Sequence, residues 1–138
     1  MIGKSFMHLM KVVTGLDEPR TQTTKNERNA LASYSSQAQL AVEIGVFEGY
    51  NTALIARSIP KDAVLFGIDP FFKGKLGICY EKFITKSHLA KFRVGKKVKL
   101  IEKLSFDALK DVPDNIDFIF IDGDHSWKGI ERDWHDWS

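Results

Sequence analysis

The chain has very little cysteine and no long apolar run. Its 138 residues include one cysteine, Cys79, which excludes an internal disulfide framework and a zinc site built from cysteines. No stretch approaches the roughly 18 apolar residues of a membrane span. The N-terminal residues also lack the small-residue cleavage site of a signal peptide. We therefore predict a cytoplasmic protein with no membrane partner.

Charge is distributed unevenly along the chain, although the net charge is only +2. Residues 73–103 carry ten basic and two acidic side chains, whereas residues 104–138 carry three basic and nine acidic ones. A basic segment can bind a polyanion such as RNA. Here the lysines are interleaved with core-type residues at helical spacing, which favours a solvated helix face. We therefore do not expect nucleic acid to be a partner.

Helix and strand patterns alternate after residue 23. We predict an irregular N-terminal segment over residues 1–23 and one domain over residues 24–138. Thr24 and Glu27 fit a capping box that begins a helix ending near Ser35, with Leu31 and Tyr34 on its inner side. The apolar runs predict strands at 40–45, 63–68, 98–101 and 116–121, and the remaining patterns predict helices at 52–57, 80–93, 105–109 and 127–137. This alternation predicts an α/β fold whose parallel sheet has helices on both faces.

The unusual polar residues and glycines all follow the predicted strands. They are residues 43–49 at the end of the first strand, Asp69 after the second, Ser105 after the third and residues 122–125 after the fourth. Open parallel sheets bind ligands beyond the carboxyl ends of their strands. The sequence therefore predicts one binding site at this edge of the sheet.

The first turn has the spacing G-x-x-x-G at Gly45 and Gly49. Phe47 stands where a dinucleotide-binding turn has a further glycine, so NAD and FAD are disfavoured. The two glycines can serve either a ligand or the close packing of the next helix. Glu43 is costly to bury unless it is paired, and we expect it to face a cationic or amine-bearing ligand. Asp69 is suited either to two ribose hydroxyls or to capping a turn.

Three segments together resemble the class I S-adenosylmethionine-dependent methyltransferases. They are LAVEIGVFEGYNTALIA, GIDPFF and IDFIFIDGDHSWKGIERD, in that order. The resemblance is to the small-molecule O-methyltransferase-like branch, which has an E-I-G-x-x-x-G turn and an I-D-G-D-H-S-[YW] segment. It implies a Rossmann-like sheet of seven strands in the order 3-2-1-4-5-7-6. This chain would supply the part 3-2-1-4, so we expect it to be truncated relative to that fold.

The resemblance implies a transferase that binds S-adenosylmethionine and methylates a hydroxyl of a small molecule. Glu43, Gly45 and Gly49 would shape the methionine side, Asp69 would hold the ribose, and Asp122 would face the sulfonium. The cofactor-binding residues expected in this way are Glu43, Gly45, Val46, Phe47, Gly49, Asn51, Thr52, Asp69, Pro70, Ser105 and Asp122.

The segment after the fourth strand is the expected catalytic element, through Asp122, Asp124 and His125. Imidazole titrates near neutral pH, so His125 is the candidate base that removes the acceptor proton. The resemblance also implies a magnesium ion, for which Asp122 and Asp124 are the candidate ligands. The alternative is that Asp124 and His125 cap the last helix. Asp133, His135 and Asp136 are expected on a solvated face.

Two other functions fit parts of the pattern. Asp122-Gly123-Asp124 matches the D-x-D of a metal-dependent nucleotide-sugar transferase, although that function leaves the first turn unexplained. The chain could also be a non-catalytic fragment that folds as an oligomer.

The apolar edge at 116–121 can pair with another chain. With Trp127, Trp134 and Trp137 beside it, we expect a homodimer.

Overall fold

The computed structural model describes residues 2–74 and 76–138. Its four strands are β1 (Leu40–Ile44), β2 (Val64–Ile68), β3 (Val98–Ile101) and β4 (Phe118–Ile121). They form one parallel sheet in the order β3-β2-β1-β4. The α/β class, the parallel sheet and the strand order are therefore confirmed.

Six α-helices surround the sheet. They are α1 (Ile2–Val13), α2 (Lys25–Ser35), α3 (Tyr50–Ser58), α4 (Tyr80–Lys91), α5 (Ser105–Ala108) and α6 (Trp127–Trp137). The predicted capping box is present at the start of α2: the Thr24 hydroxyl accepts from the Glu27 amide, and the Glu27 carboxylate accepts from the Thr24 amide. This reciprocal pair satisfies two of the amides that a helix start leaves free.

The two central strands, β1 and β2, are buried on both faces, so the core has two layers. Ala41 and Leu65 face a layer that includes residues of α3 and α4, namely Ala53, Ile55, Ala56 and Leu89. Val42 and Phe66 face the opposite layer, which includes Ala108 of α5 and Trp137 of α6. Alternate residues of a strand point to opposite faces. This alternation sends Glu43 towards α3 and sends Ile44 towards α6.

The predicted irregular segment at the N-terminus is wrong in its secondary structure, because residues 2–13 form helix α1. That helix packs on α4 and buries His8 and Val12. The sequence pattern does not indicate helix α1, because its first turn has no acidic residue and a histidine occupies its inner face. The division into a segment 1–23 and a domain 24–138 stays a prediction.

Two aromatic side chains lie on the outer faces of their helices. Tyr34 is 80% exposed, so its predicted place on the inner side of α2 is wrong, and Phe83 of α4 is 56% exposed. Leu31 and Ile84, which lie on the adjacent faces of the same helices, are buried instead. Trp137 is buried, whereas Trp127 and Trp134 are exposed. Within the described residues, each helix is too short or too polar to cross a lipid bilayer.

Candidate functional site

The carboxyl ends of all four strands open into one cavity of about 660 Å³. This volume lies within the range of small-molecule sites, roughly 300–1,000 Å³. Residues following β1, β2, β3 and β4 line it, including Gly45, Asp69, Ser105 and Asp122. The predicted site at this edge of the sheet is thus a formed cavity in the structure.

Asp69 organises the first turn of the site through backbone hydrogen bonds. Its Oδ2 accepts from the amides of Val46 at 3.0 Å and Phe47 at 2.9 Å, and its Oδ1 accepts from the Phe71 amide at 2.8 Å. A carboxylate that accepts several amides fixes the backbone around it. The bond from the Phe71 amide is the turn cap that the sequence offered as one alternative for Asp69. The bonds from Val46 and Phe47 also join the end of β2 to the turn after β1, a contact that the sequence did not indicate.

The turn itself contains three residues in the left-handed region, Gly45 at φ 91°, Phe47 at φ 56° and Gly49 at φ 81°. A Cβ on Gly45 would lie 2.2 Å from the carbonyl oxygen of Asp122. That glycine is therefore required for the close approach of the β1 and β4 ends. Phe47 adopts a conformation that costs a non-glycine residue roughly 1–3 kcal/mol. The Asp69 carboxylate and the Thr85 hydroxyl hold its amide and its carbonyl.

Glu43 is fully buried beneath this turn. Its Oε2 accepts from the Thr52 hydroxyl at 2.5 Å, and its Oε1 has no hydrogen-bond partner. The pKa of this carboxyl is raised to about 8, chiefly by burial and to a smaller extent by the charges of Asp122 and Asp69, while the Thr52 hydrogen bond opposes the shift. Glu43 does not line the cavity, contrary to the expectation that it faces a ligand directly.

The segment after β4 presents Asp122 and His125 to the cavity. Nε2 of His125 lies 3.7 Å from Oδ1 of Asp122, and the His125 side chain is 65% exposed. Burial raises the pKa of Asp122, while the neighbouring imidazole opposes that shift. Asp124 accepts from the Ser126 amide at 2.8 Å, which lowers its pKa. The cap of α6 is Ser126, whose hydroxyl accepts from the Gly129 amide, so Asp124 holds the capping residue and is not itself the cap.

Helix α6 contributes two side chains to the site that sequence analysis did not place there. Asp133 is 5% exposed and accepts a hydrogen bond from the Ser105 hydroxyl, so the predicted solvated face is wrong at this residue. The guanidinium of Arg132 lies 3.7 Å from the centroid of the Phe106 ring, within cation–π range. These contacts join α6 to the start of α5.

The segment between α1 and α2 forms another wall through Arg20, Thr21 and Gln22. The Thr23 hydroxyl donates to Oδ1 of Asn51 at 3.0 Å, and the Arg20 amide donates to Oε2 of Glu48 at 2.6 Å. Sequence analysis missed this wall because an irregular segment carries no periodicity. The two threonines preceding the capping box were the only local signal.

Most of the predicted site residues do line the cavity. Those that line it are Gly45, Val46, Phe47, Asn51, Asp69, Pro70, Ser105, Asp122, Asp124 and His125. Glu43, Gly49 and Thr52 do not: Glu43 and Thr52 bond to each other beneath the turn, and a Cβ on Gly49 would lie 2.8 Å from Thr85. Gly49 thus serves helix packing, one of the two alternatives left open for it.

The predicted metal ligands lack the arrangement of a metal site. Among the residues that the structure describes, no three His, Cys, Asp or Glu side chains are grouped to hold an ion. The carboxylate of Asp124 is engaged with α6, and Asp122 has only His125 beside it. The chemistry of this donor set does not fit magnesium, which prefers several oxygen ligands.

Comparison with known proteins identifies relatives of this fold. The uncharacterized protein R132 of Acanthamoeba polyphaga mimivirus is 35% identical over 100 residues, covering 68% of this chain and 42% of that protein. Tricin synthase 1 of Oryza sativa subsp. japonica is 29% identical over 119 residues, covering 76% and 47%. The chain thus spans about half the length of the curated relatives that it matches.

The solved structure of the O-methyltransferase TomG from Streptomyces achromogenes, in complex with SAM, shares the fold. Its TM-score is 0.67 at 21% identity, over 96% of this chain and 58% of TomG. Residues 42–138 match the family model described as a methyltransferase domain. The matched range includes the first turn, Asp69 and the segment after β4. The chain therefore belongs to the methyltransferase-domain family.

Proposed function

We propose that the chain binds S-adenosylmethionine and transfers its methyl group to a hydroxyl of a small molecule. The observation that carries this proposal is the cavity in which Asp69, at the end of β2, holds the turn after β1. The complex of TomG with SAM and the name of Tricin synthase 1 support it. The acceptor class rests on these relatives and on the resemblance described above.

Asp69 is the proposed ribose ligand. A carboxylate offers about four lone-pair sites, and three backbone amides occupy three of them. Hydrogen-bonding capacity therefore remains for a ribose hydroxyl. The fixed turn would bring the Gly45–Phe47 backbone against the methionine part, while Ser105 lies across the cavity on the proposed adenine side. Asn51 still has its amide group free to donate after Oδ1 accepts from Thr23.

Glu43 would act from beneath the turn. Its unpartnered Oε1 is the orphaned polar atom that a cationic ligand would compensate electrostatically. Asp122, which lies in the cavity wall, would supply the second negative charge near the same end. Both carboxyls have raised pKa values because of burial, so a positive charge nearby would stabilise their ionised forms. This charge pattern suits a ligand with a sulfonium and an amine.

His125 is the proposed catalytic base. S-adenosylmethionine, when bound, supplies an electrophilic methyl group on a sulfonium. The imidazole of His125 would accept the proton of the acceptor hydroxyl as the new oxygen–carbon bond forms and the methyl–sulfur bond breaks, which would leave S-adenosylhomocysteine as the second product. Asp122, 3.7 Å away, would stabilise the resulting imidazolium. The remaining contribution of the protein is positioning, which the fixed first turn provides.

Magnesium at Asp122 and Asp124 stays a prediction. The catalytic steps proposed above do not use the ion, because the donor set does not fit it.

The homodimer is likewise proposed, because β4 is an edge strand and the adjacent helix exposes Trp127, Ile130 and Trp134 on one face. The cytoplasmic location and the lack of nucleic-acid partners also stay predictions.

Calorimetric titration tests the cofactor. We expect S-adenosylhomocysteine to bind with one-to-one saturation and UDP-glucose to give no heat above dilution. Binding of UDP-glucose with no response to S-adenosylhomocysteine would favour the nucleotide-sugar alternative and overturn the proposal. Asp62→Asn, on a surface loop remote from the cavity lining, is the control for Asp122→Asn, which should weaken binding.

Catalysis is tested separately with catechol and phenol as acceptor probes and S-adenosylmethionine as donor. We expect methylated product from at least one probe, and a loss of about a hundredfold or more in turnover for His125→Ala. S-adenosylhomocysteine should bind this variant as it binds the wild type. Binding of S-adenosylhomocysteine without turnover of either probe would favour the non-catalytic alternative for this chain.

A further inference from the structure

A buried histidine of α1 contacts the turn that forms the candidate site. Nε2 of His8 lies 2.9 Å from Oε2 of Glu48, and the two residues are 40 positions apart in the chain. His8 is 8% exposed and Glu48 is 3% exposed. Glu48 belongs to the first turn, between Gly45 and Gly49. The N-terminal helix is therefore fastened directly to the segment that organises the cavity.

The same carboxylate oxygen also holds the segment that follows α1. Oε2 of Glu48 accepts from the Arg20 amide at 2.6 Å. We call residues 14–24 the strap, since they connect α1 to α2 and include the wall residues Arg20, Thr21 and Gln22. One buried atom thus joins the helix, the strap and the first turn.

Both ring nitrogens of His8 face carboxylates. Nδ1 lies 3.2 Å from Oδ2 of Asp17, which lies in the strap, while Nε2 faces Glu48. A neutral imidazole has a single N–H and cannot donate to both, whereas an imidazolium can. Lys4, Lys11 and Arg20 line a small surface pocket together with His8 and Asp17, and the Arg20 guanidinium lies 3.9 Å from the Glu48 carboxylate. Hydrogen bonds between charged partners are the stronger kind, and removal of one partner leaves the other buried and unpaired.

We propose that His8 and Glu48 are a positioning pair that holds the strap against the first turn, so that strap residues form one wall of the cofactor site. The identity of the ligand in this inference rests on the proposed function. The position of the strap is argued from the contacts of His8 and Glu48 and does not depend on that function. Among the described residues, the other side-chain hydrogen bonds and ion pairs between the strap and α3 or the first turn are those of Thr23 with Asn51 and of Arg20 with Glu48. Loss of His8 removes the bridge between Asp17 of the strap and Glu48 of the first turn.

Limited trypsin digestion reports on the strap without any ligand. Arg20 lies in the strap, and its backbone amide is held by Glu48, so the Arg20–Thr21 bond should be cleaved slowly in the wild type. We expect His8→Ala to increase the cleavage rate at this bond about tenfold or more, measured by mass spectrometry. The matched control is Phe6→Ala, because Phe6 lies on the same helix and is 51% exposed. Unchanged cleavage in His8→Ala would overturn the proposal.

The affinity for S-adenosylhomocysteine is a second measurement. A residue that only stabilises the fold would leave this affinity unchanged in a folded variant. We expect the Kd for S-adenosylhomocysteine to rise about tenfold in His8→Ala and at least as much in Glu48→Ala, which also loses the acceptor for the Arg20 amide. The double variant should bind no more weakly than Glu48→Ala, because the His8 contact is already absent there. Glu48→Gln retains a carbonyl oxygen that can accept from Arg20 and His8, so it should restore part of the affinity. Additive losses in the double variant would contradict a shared role.

The two proposals fail differently. If the wild type does not bind S-adenosylhomocysteine, the proposed function is wrong, while the digestion still tests the strap. If the wild type binds it and His8→Ala binds equally well, the positioning pair is wrong and the proposed function stands. Circular dichroism checks that each variant folds, and Glu48→Ala replaces His8→Ala in both measurements if the latter does not fold.

Discussion

The hydroxyl of Thr52 donates to the carboxyl of Glu43 at 2.5 Å, in a fully buried contact between α3 and β1. This bond satisfies one oxygen and leaves the other without a partner. A carboxyl in such surroundings is more stable as the neutral acid, because burial disfavours its charged form. The contact therefore makes the stability of the fold depend on pH.

Glu43→Gln should flatten the pH dependence of stability. The pKa of Glu43 is raised from 4.5 to about 8 in the folded chain, so the folded state holds a proton that the unfolded state releases. The resulting stabilisation is fully present below pH 4.5 and is lost as the pH rises towards 8. Urea unfolding of wild type and variant at several pH values measures the difference.

We expect the wild type to lose more free energy of unfolding than Glu43→Gln over that interval. Glu131→Gln, at an exposed position on α6, is the control and should follow the wild type. Parallel curves for the wild type and Glu43→Gln would show that Glu43 is ionised in the folded chain.

Asp69→Ala should weaken the binding of S-adenosylhomocysteine about tenfold or more, because hydrogen bonds to a charged group contribute roughly 1.5–3 kcal/mol. The first turn would also lose its support at Val46 and Phe47. Asp117→Ala is the matched control, because Asp117 accepts from the amides of Gln39 and Leu40 near the opposite end of β1.

Both variants should lower the melting temperature, but only Asp69→Ala should raise the Kd. Calorimetric titration and thermal unfolding on the same samples separate the two effects. Equal affinity for wild type and Asp69→Ala would remove Asp69 from the binding site.

Gly45→Ala should destabilise the fold more than Gly15→Ala does. Both glycines have positive φ, 91° and 76°, so both substitutions incur backbone strain. A Cβ on Gly15 would meet nothing within 4 Å, whereas one on Gly45 would meet the backbone of Asp122. In the sequence, Gly45 could serve either a ligand, so that a side chain there fills ligand space, or the close packing of the next helix.

Denaturant unfolding compares the two variants. We expect about 1 kcal/mol of destabilisation for Gly15→Ala and a clearly larger loss for Gly45→Ala. Similar losses would mean that the ends of β1 and β4 separate at little cost, so the ligand-space explanation would be restored for Gly45.

Trp134→Glu should convert the proposed dimer into monomers. Trp134 is 64% exposed and shares a face of α6 with Trp127 and Ile130, beside the edge strand β4. A charge at the centre of a buried apolar contact is costly. Sedimentation equilibrium at micromolar concentration gives the mass of each species directly.

Tyr34→Glu is the control for this measurement, since Tyr34 is 80% exposed on α2. It should leave the dimer intact. A folded wild type that sediments as a monomer would mean that α6 and Trp137 cover the sheet without a partner.

Local sequence patterns were sufficient for the strands, for α2 and for the site's place at the carboxyl edge. Apolar runs mark buried strands, and the capping box of Thr24 and Glu27 involves residues three positions apart. The positions of Gly45, Asp69 and Asp122 then follow, because parallel strands end on the same edge. Helix α1 was missed because its buried face includes His8, and no cap marks its beginning.

Tertiary structure alone decided which polar groups meet. Glu43 points to Thr52 and not into the cavity, Asp133 turns inward to Ser105, and His8 reaches Glu48. Residues that are distant in the chain form two of these pairs, and side-chain periodicity contains no information on such partners. The physical reason is that a buried polar group must find its partner wherever the packed chain brings one within hydrogen-bond distance.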